Sequence, residues 1–360
     1  MRGVGVDTDA TEALGDFQRF PGWMWRNADV LDFIGWMRSY NEALPPDRRA
    51  GFYGLDLYSL HASMRAVVSF LDKVDPAAAG RARARYACFD RFGETLQEYA
   101  YVSRLGVGAS CEAEVVTQLV ELRRQAAEYA RRDGRLAQDE YFVAEQNARV
   151  VRNAEAYYRT MFGGRVESWN LRDRHMTDTL GDLLQFLRRG DRPARLVVWA
   201  HNSHLGDARA TEMGEQGELN VGQLARERFG ADVVSVGFST HAGTVTAATD
   251  WDGPAHRRHV RPALLESIER VCHESGMGWF LLPFRRDAAL AAALGGRRLE
   301  RAIGVLYKPE TERRSHYFFA RVPEQFDYLV HIDETRAVEP LERTSLWEAG
   351  EPRETYPSGL

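Results

Sequence analysis

The residues best suited to chemistry close the apolar run of LVVWAHNSHLGDAR, positions 196 to 209. His201 and His204 stand three apart directly after Ala200, with Asp207 and Arg209 a few positions on. Imidazoles titrate near neutrality, so a pair at the end of an apolar strand suits proton transfer or polarisation of a carbonyl. Two other readings stay open: a hydrogen-bonded structural pair, and metal ligation. Metal is least favoured because no third ligand stands nearby in the sequence, although His316, His241 or a carboxylate could arrive through the fold. The spacing also differs from the i, i+4 helical pair of HExxH metalloproteases.

A second group lies in SWNLRDRHM, where Arg172 and His175 fall at i, i+3 on one helix face near a helix N-terminus that favours anions. They are candidate substrate contacts, against the plainer reading of Arg172, Asp173 and Arg174 as a solvated polar face. His316 in RSHYFFARV is a third candidate contact, although its alternating context also fits an outward-facing or core histidine. His331 and Asp333 end the run YLVHID at another strand terminus, where a lone histidine is more often structural. No GxSxG elbow, SxxK, Walker loop or strand-linked GxGxxG is present, and none of Cys88, Cys111 and Cys272 has the context of a nucleophile. A serine or cysteine hydrolase is therefore not favoured, and no cofactor or metal is called for.

These residues need a frame to hold them. Ala28 to Ala43 carries Val30, Phe33, Ile34 and Met37 at helical spacing and stops at Pro45-Pro46. GFYGLDL, 51 to 57, reads as a short buried strand, with Ser59 capping a helix that ends before Pro76. From about 77 to 164 long amphipathic helices follow one another, linked at one point by the glycine-rich GVGAS of 106 to 110. A helix capped near Asn170 carries the stripe Met176, Leu180, Leu183, Leu187. Strand signals then alternate with helices: LVVWA, VVSVGFS with a hairpin into TVTAA, WFLLP, AIGVLY and YLVHI, with a helix near Leu264 to His273. This alternation predicts an α/β fold, a mostly parallel sheet flanked by helices with a helical subdomain inserted. The expected divisions are 1–76 and 166–345 for the α/β domain, 77–165 for the helical insertion and 346–360 for a disordered tail.

The 360 residues are 44% apolar and 28% charged, with a net charge of −5, enough for a large core and too acidic for nucleic acid as a default partner. The cysteines lack paired spacing, so neither a disulfide framework nor a zinc knuckle is expected and a cytoplasmic location fits. No run approaches the roughly 20 apolar residues of a membrane span.

FQRFPGWMWRN (17 to 27), FYGLDLYSL (52 to 60), WNLRDRHM (169 to 176), VVWAHNSHLGDAR (197 to 209), GELNVGQLARERFG (217 to 230) and RAIGVLYKPETERRSHYF (301 to 318), taken in order, resemble the erythromycin esterase family, some of whose members are labelled succinoglycan biosynthesis proteins. The resemblance implies an α/β fold with a helical subdomain over a cleft, and opening of a macrolide lactone by water, an antibiotic-resistance chemistry. In it a histidine is general base, glutamates and further histidines complete the site, and no covalent enzyme intermediate is required. The family's AHNxH histidines match His201 and His204. Its initial strands, one leading into a segment like GEASHGT and one ending in a glutamate, have no counterpart here. The resemblance therefore implies a chain whose N-terminal strands are missing through truncation, or a degenerate member. Truncation predicts unpaired sheet edges, low stability and self-association. The expected partner is a small-molecule ester or lactone, with no nucleic acid and no membrane. The alternatives are a catalytically impaired binding protein of the same fold, or a metal- or haem-binding protein.

Overall fold

Asn27 Oδ1 accepts the Val30 amide and starts the helix Ala28–Glu42, whose buried face is Val30, Ile34 and Met37; Phe33 lies at its margin. In this computed structural model residues 7–92, 97–104, 110–129, 135–188 and 193–350 are described. They fall into two compact units. One holds the described residues within Met1–Tyr53, His201–Glu212 and Ala231–Leu360; the other holds those within Gly54–Ala200 and Met213–Gly230.

The second unit is helical. Helices Leu60–Val74, Pro76–Tyr86, Glu112–Arg124, Arg135–Thr160 and Arg165–Leu187 pack around a core that includes Leu71, Phe89, Tyr99, Leu119 and Val151. Asp75 Oδ1 accepts the Ala78 amide, and Pro76 takes the first position of its helix, where a missing N–H costs nothing. Four expectations need correction here. Cys88 and Cys111 are joined in a disulfide with Cα atoms 5.9 Å apart; their separation of 23 residues hid the pairing because helical packing brings them together. The long helix starts after Gly164, not near Asn170, whose amide instead donates to Gly217 O and accepts the Leu219 amide. Residues 196–200 form no strand, and their alternation leaves Val197 99% exposed. Residues 51–57 likewise form no strand. Of GVGAS only Ser110 lies within the described residues.

The first unit carries eight strands: β1 Val236–Ser239, β2 Ala242–Ala247, β3 His256–Val260, β4 Trp279–Leu282, β5 Arg298–Arg301, β6 Tyr317–Ala320, β7 Tyr328–Ile332 and β8 Glu334–Thr335. They form three small sheets, ordered β1-β7-β4, β3-β2-β8 and β5-β6. In the first, β7 pairs in parallel with β1 and antiparallel with β4, so that His331 stands between Ser239 and Phe280. One face of this sheet buries Gly237, Leu329 and His331; the other leaves Phe238 59% and Trp279 79% exposed. The expected hairpin between β1 and β2 does not form, because the chain turns after Ser239 and β2 pairs with β3 and β8. AIGVLY is not a strand either: the strand is the preceding RLER of β5, and Leu306 makes a single bridge to Ala248.

The expected tail begins inside a helix, Ser345–Ala349, whose Trp347 Nε1 donates to Thr246 Oγ1 at 2.9 Å; residues 351–360 lie outside the described residues. Among the described residues no helix is long and apolar enough to cross a membrane.

Candidate active site

His201 is the N-cap of the short helix Asn202–Leu205. A carbonyl can only accept, so the 3.0 Å contact with Ile303 O places the ring proton on Nε2. Nδ1 is then the acceptor for the Ser203 amide and hydroxyl, at 3.2 and 2.9 Å. Both ring nitrogens are thus committed within the unit. Although the residue keeps some exposed surface, its ring is enclosed: burial first, then the neighbouring His204, lowers its pKa to about 4 against the bond to Ile303. His204 is 8% exposed, and its amide donates to His201 O at 2.9 Å.

Asn202 fastens this segment to the sheet. Its Nδ2 donates to Phe238 O at 2.7 Å and its Oδ1 accepts the Phe238 amide at 3.1 Å, so one side chain imitates a strand neighbour at the edge of β1. The histidine segment therefore sits at the carboxyl end of β1, the end where ligands bind in open α/β sheets.

His316 is brought to the same stretch of backbone. Its Nδ1 donates to Ala302 O at 3.3 Å and its Nε2 accepts the Lys308 amide at 3.0 Å, so His201 and His316 hold two consecutive carbonyls. Burial lowers its pKa, the contact with Ala302 opposing.

Around these lie polar groups that the sequence did not single out. Arg301, with a side chain 2% exposed, donates to Thr240 O (2.6 Å), His241 O (2.7 Å), Arg261 O (2.6 Å) and Glu312 Oε1 (3.1 Å). Its amide donates to Glu269 Oε1 at 2.9 Å. Glu300 is 3% exposed; burial, with Glu269 adding in the same sense, pushes its carboxyl well above the usual carboxylate range against hydrogen bonds from Gln325 and Asn202. Glu269 is raised by burial too, although the Arg301 amide opposes this. Strand β5 supplies Glu300 and Arg301, and the alternating run RLER offered no cue because charged residues in a strand usually face water.

At the ends of β1 and β7 the rings of His241 and His273 stack 3.6 Å apart. Asp333 accepts from His273 Nδ1 at 2.8 Å and from His331 Nε2 at 3.3 Å, and Ser239 Oγ lies 3.0 Å from His331 Nδ1. Asp333 also lines a cavity of about 490 Å³ with Trp279, Val330 and Ile332, so its carboxylate is reachable by water. Among the described residues no group of three histidine, cysteine or acidic side chains is placed to hold a metal ion.

The other two candidates belong to the helical unit. Arg172 Nε and Nη2 donate to the two oxygens of Asp56 at 2.9 and 2.7 Å, and the guanidinium lies over the Tyr58 ring at 4.7 Å. Burial alone would lower the pKa of this guanidinium, but the bonds to Asp56 raise it. His175, 2% exposed, accepts from Asn153 Nδ2 at 2.7 Å through Nδ1, and its Nε2 has no partner among the described residues. Burial, then Arg149, lowers its pKa to about 4.

Comparison with known proteins shows what this fold is similar to. The structure is similar to that of a succinoglycan biosynthesis protein (TM-score 0.69, 19% identity, 92% of this chain and 78% of that one). It is also similar to a Bacillus cereus protein (0.73, 14%, 95% and 80%) and to a mutant of the erythromycin esterase EreC in its open conformation (0.59, 14%, 93% and 82%). At these identities the likeness is one of fold. The family description "Erythromycin esterase" matches residues 2–335, nearly the whole sequence, and the chain belongs to the erythromycin esterase family.

Proposed function

We propose that the chain is an ester hydrolase that opens a macrolide lactone or a related cyclic ester by histidine-assisted attack of water. What supports this reading is the segment at the carboxyl end of β1, where Asn202 pins the HNSH turn to Phe238 and His201 is held neutral beside the buried His204. Family membership supplies the reaction class.

In such a hydrolysis water attacks the ester carbonyl carbon and gives up a proton as negative charge grows on the carbonyl oxygen. The ring C–O bond then breaks, and the departing alkoxide takes a proton to become an alcohol. A neutral imidazole can accept the first proton and return it in the second step. We assign that role to the pair His201 and His204, with the ring of His201 held in place by Ser203 and Ile303. Arg172, His175 and His316 would act as positioning residues: each already has a partner within its own unit.

The second reading is a binding protein of the same fold without turnover. It is favoured by the same closure of His201 and by the Asp56 carboxylate that occupies Arg172. Incubation with erythromycin and with simpler lactones, followed by mass spectrometry, separates the two. The hydrolase reading expects addition of one water by the wild-type chain and its loss in His204→Ala. Binding of intact lactone by the wild-type chain without any hydrated product supports the second reading.

A further inference from the structure

The three side chains Ser239, His331 and Asp333 form a hydrogen-bonded series at the carboxyl ends of β1 and β7, separate from the HNSH turn. Its direction follows from what each atom can do. An ionised Asp333 has only acceptors, so the contacts at 2.8 and 3.3 Å require protons on His273 Nδ1 and His331 Nε2. With its proton on Nε2, a neutral His331 offers a bare lone pair at Nδ1, and the Ser239 hydroxyl 3.0 Å away donates to it. A hydroxyl within hydrogen-bond reach of a base that a third group orients is the structural signature of an activated nucleophile, whichever ring nitrogen faces the hydroxyl.

The surroundings keep the series in this state. His331 is fully buried against Phe280, with ring centroids 5.3 Å apart, whereas Ser239 retains partial exposure. Burial lowers the pKa of His331 against the pull of Asp333, and the histidine bonds outweigh burial to keep Asp333 below the usual carboxylate range. The second imidazole on Asp333, His273, is stacked on His241, so the carboxylate is held from two sides.

We propose that Ser239 is a nucleophile activated by His331 and Asp333, able to accept an acyl group from an ester. Ser239 Oγ attacks the ester carbonyl carbon while its proton passes to His331 Nδ1. The ester C–O bond breaks, the alkoxide leaves as an alcohol with that proton, and water then releases the acyl group as a carboxylic acid. The inference goes beyond the water-attack reading, which needs no covalent intermediate. Periodicity had no means of marking Ser239, because the nucleophile and its base lie 92 residues apart in the chain and meet only through strand register.

The test uses the intact chain and a fluorophosphonate, which serine nucleophiles attack at phosphorus with loss of fluoride. Labelled protein is digested and the modified residue located by mass spectrometry, beside Ser239→Ala, His331→Gln and Asp333→Asn, each checked for folding by circular dichroism. The expected result is a single adduct on Ser239, absent in Ser239→Ala, with a labelling rate falling about 100-fold in folded His331→Gln or Asp333→Asn, the scale of lost base assistance. No adduct on Ser239 in the wild-type chain, or labelling at an unchanged rate in the folded His331 and Asp333 variants, overturns the proposal. Lactone turnover measured in parallel keeps the two readings apart: a wild-type chain that turns lactone over but takes no label on Ser239 sinks the serine alone, and labelling without any lactone turnover sinks only the water-attack reading.

Discussion

The Nε2–H of His201 donates to the carbonyl of Ile303 over 3.0 Å, and this bond fixes both the tautomer of the ring and the path of the HNSH turn. A cation at that position would meet buried surroundings and the neighbouring His204, which is why the ring stays neutral down to a pKa of about 4. The unfolded chain regains the ordinary value near 6.5. Between those values the unfolded state binds more protons than the folded one, so stability is lost as pH falls from about 6.5 towards 4. The shift corresponds to at most about 3 kcal/mol, at about 1.4 kcal/mol per unit. Urea unfolding at pH 7 and at pH 4.5 should show this loss, with His175 adding to it in the same sense. His201→Asn should be less stable at pH 7 but show a visibly smaller drop; an identical drop in both proteins would contradict the assignment.

Arg301 holds the turn between β1 and β2 from beneath. Replacing it with Ala would remove the guanidinium bonds to the carbonyls of Thr240, His241 and Arg261, leaving His241 O only the Ala263 amide, and would leave Glu312 buried without its ion pair. Breaking a buried pair by removing one partner costs about 3–5 kcal/mol. Arg301→Lys keeps the charge but cannot span four acceptors, so it should recover only part of the loss. Denaturant midpoints for the three proteins should fall in the order wild type, Lys, Ala.

Two glycines give a paired steric test. Gly243 has φ +124°, and a Cβ there would run into the Thr335 backbone across the β2–β8 pairing. Gly237 has ordinary dihedrals, but a Cβ would come within 2.7 Å of the buried Phe326 ring. Gly237→Ala should cost about 1–3 kcal/mol as the ring is displaced. Gly243→Ala should cost more, because backbone strain adds to a contact that cannot move aside. Thermal melting of both variants checks the ranking.

The disulfide makes a further prediction for the helical unit. Cross-linking Cys88 to Cys111 closes a loop of 23 residues, worth about 3 kcal/mol in chain entropy. A reducing agent, or Cys111→Ser, should lower the melting transition of the wild-type chain, whereas reduction should leave the transition of Cys111→Ser unchanged.

What the sequence revealed and what it hid divide along physical lines. The helices were legible because stripes such as Leu119, Leu122 and Val151 report burial directly. VVSVGFS, WFLLP and YLVHI were legible as apolar runs that hold strands, but LVVWA and AIGVLY are not strands, the charged RLER and HRRHV are, and partners stayed hidden: TVTAA pairs with HRRHV and not with the run before it. In the site, His201 and His204 stood out because they end an apolar run, and YLVHID showed His331 and Asp333 for the same reason. Ser239, His273, Glu300 and Arg301 did not stand out. Their roles depend on cross-strand neighbours and on burial of charged types that a sequence shows as polar surface.

The most direct test of the central reading is lactone hydrolysis by the purified chain, read by mass spectrometry as the addition of one water to erythromycin and to simpler lactones. Hydrated product is expected from the wild-type chain, with a fall of about 100-fold or more in folded His204→Ala. Hydrolysis that survives unchanged in folded His204→Ala, or a folded wild-type chain that leaves every lactone intact, would contradict that reading.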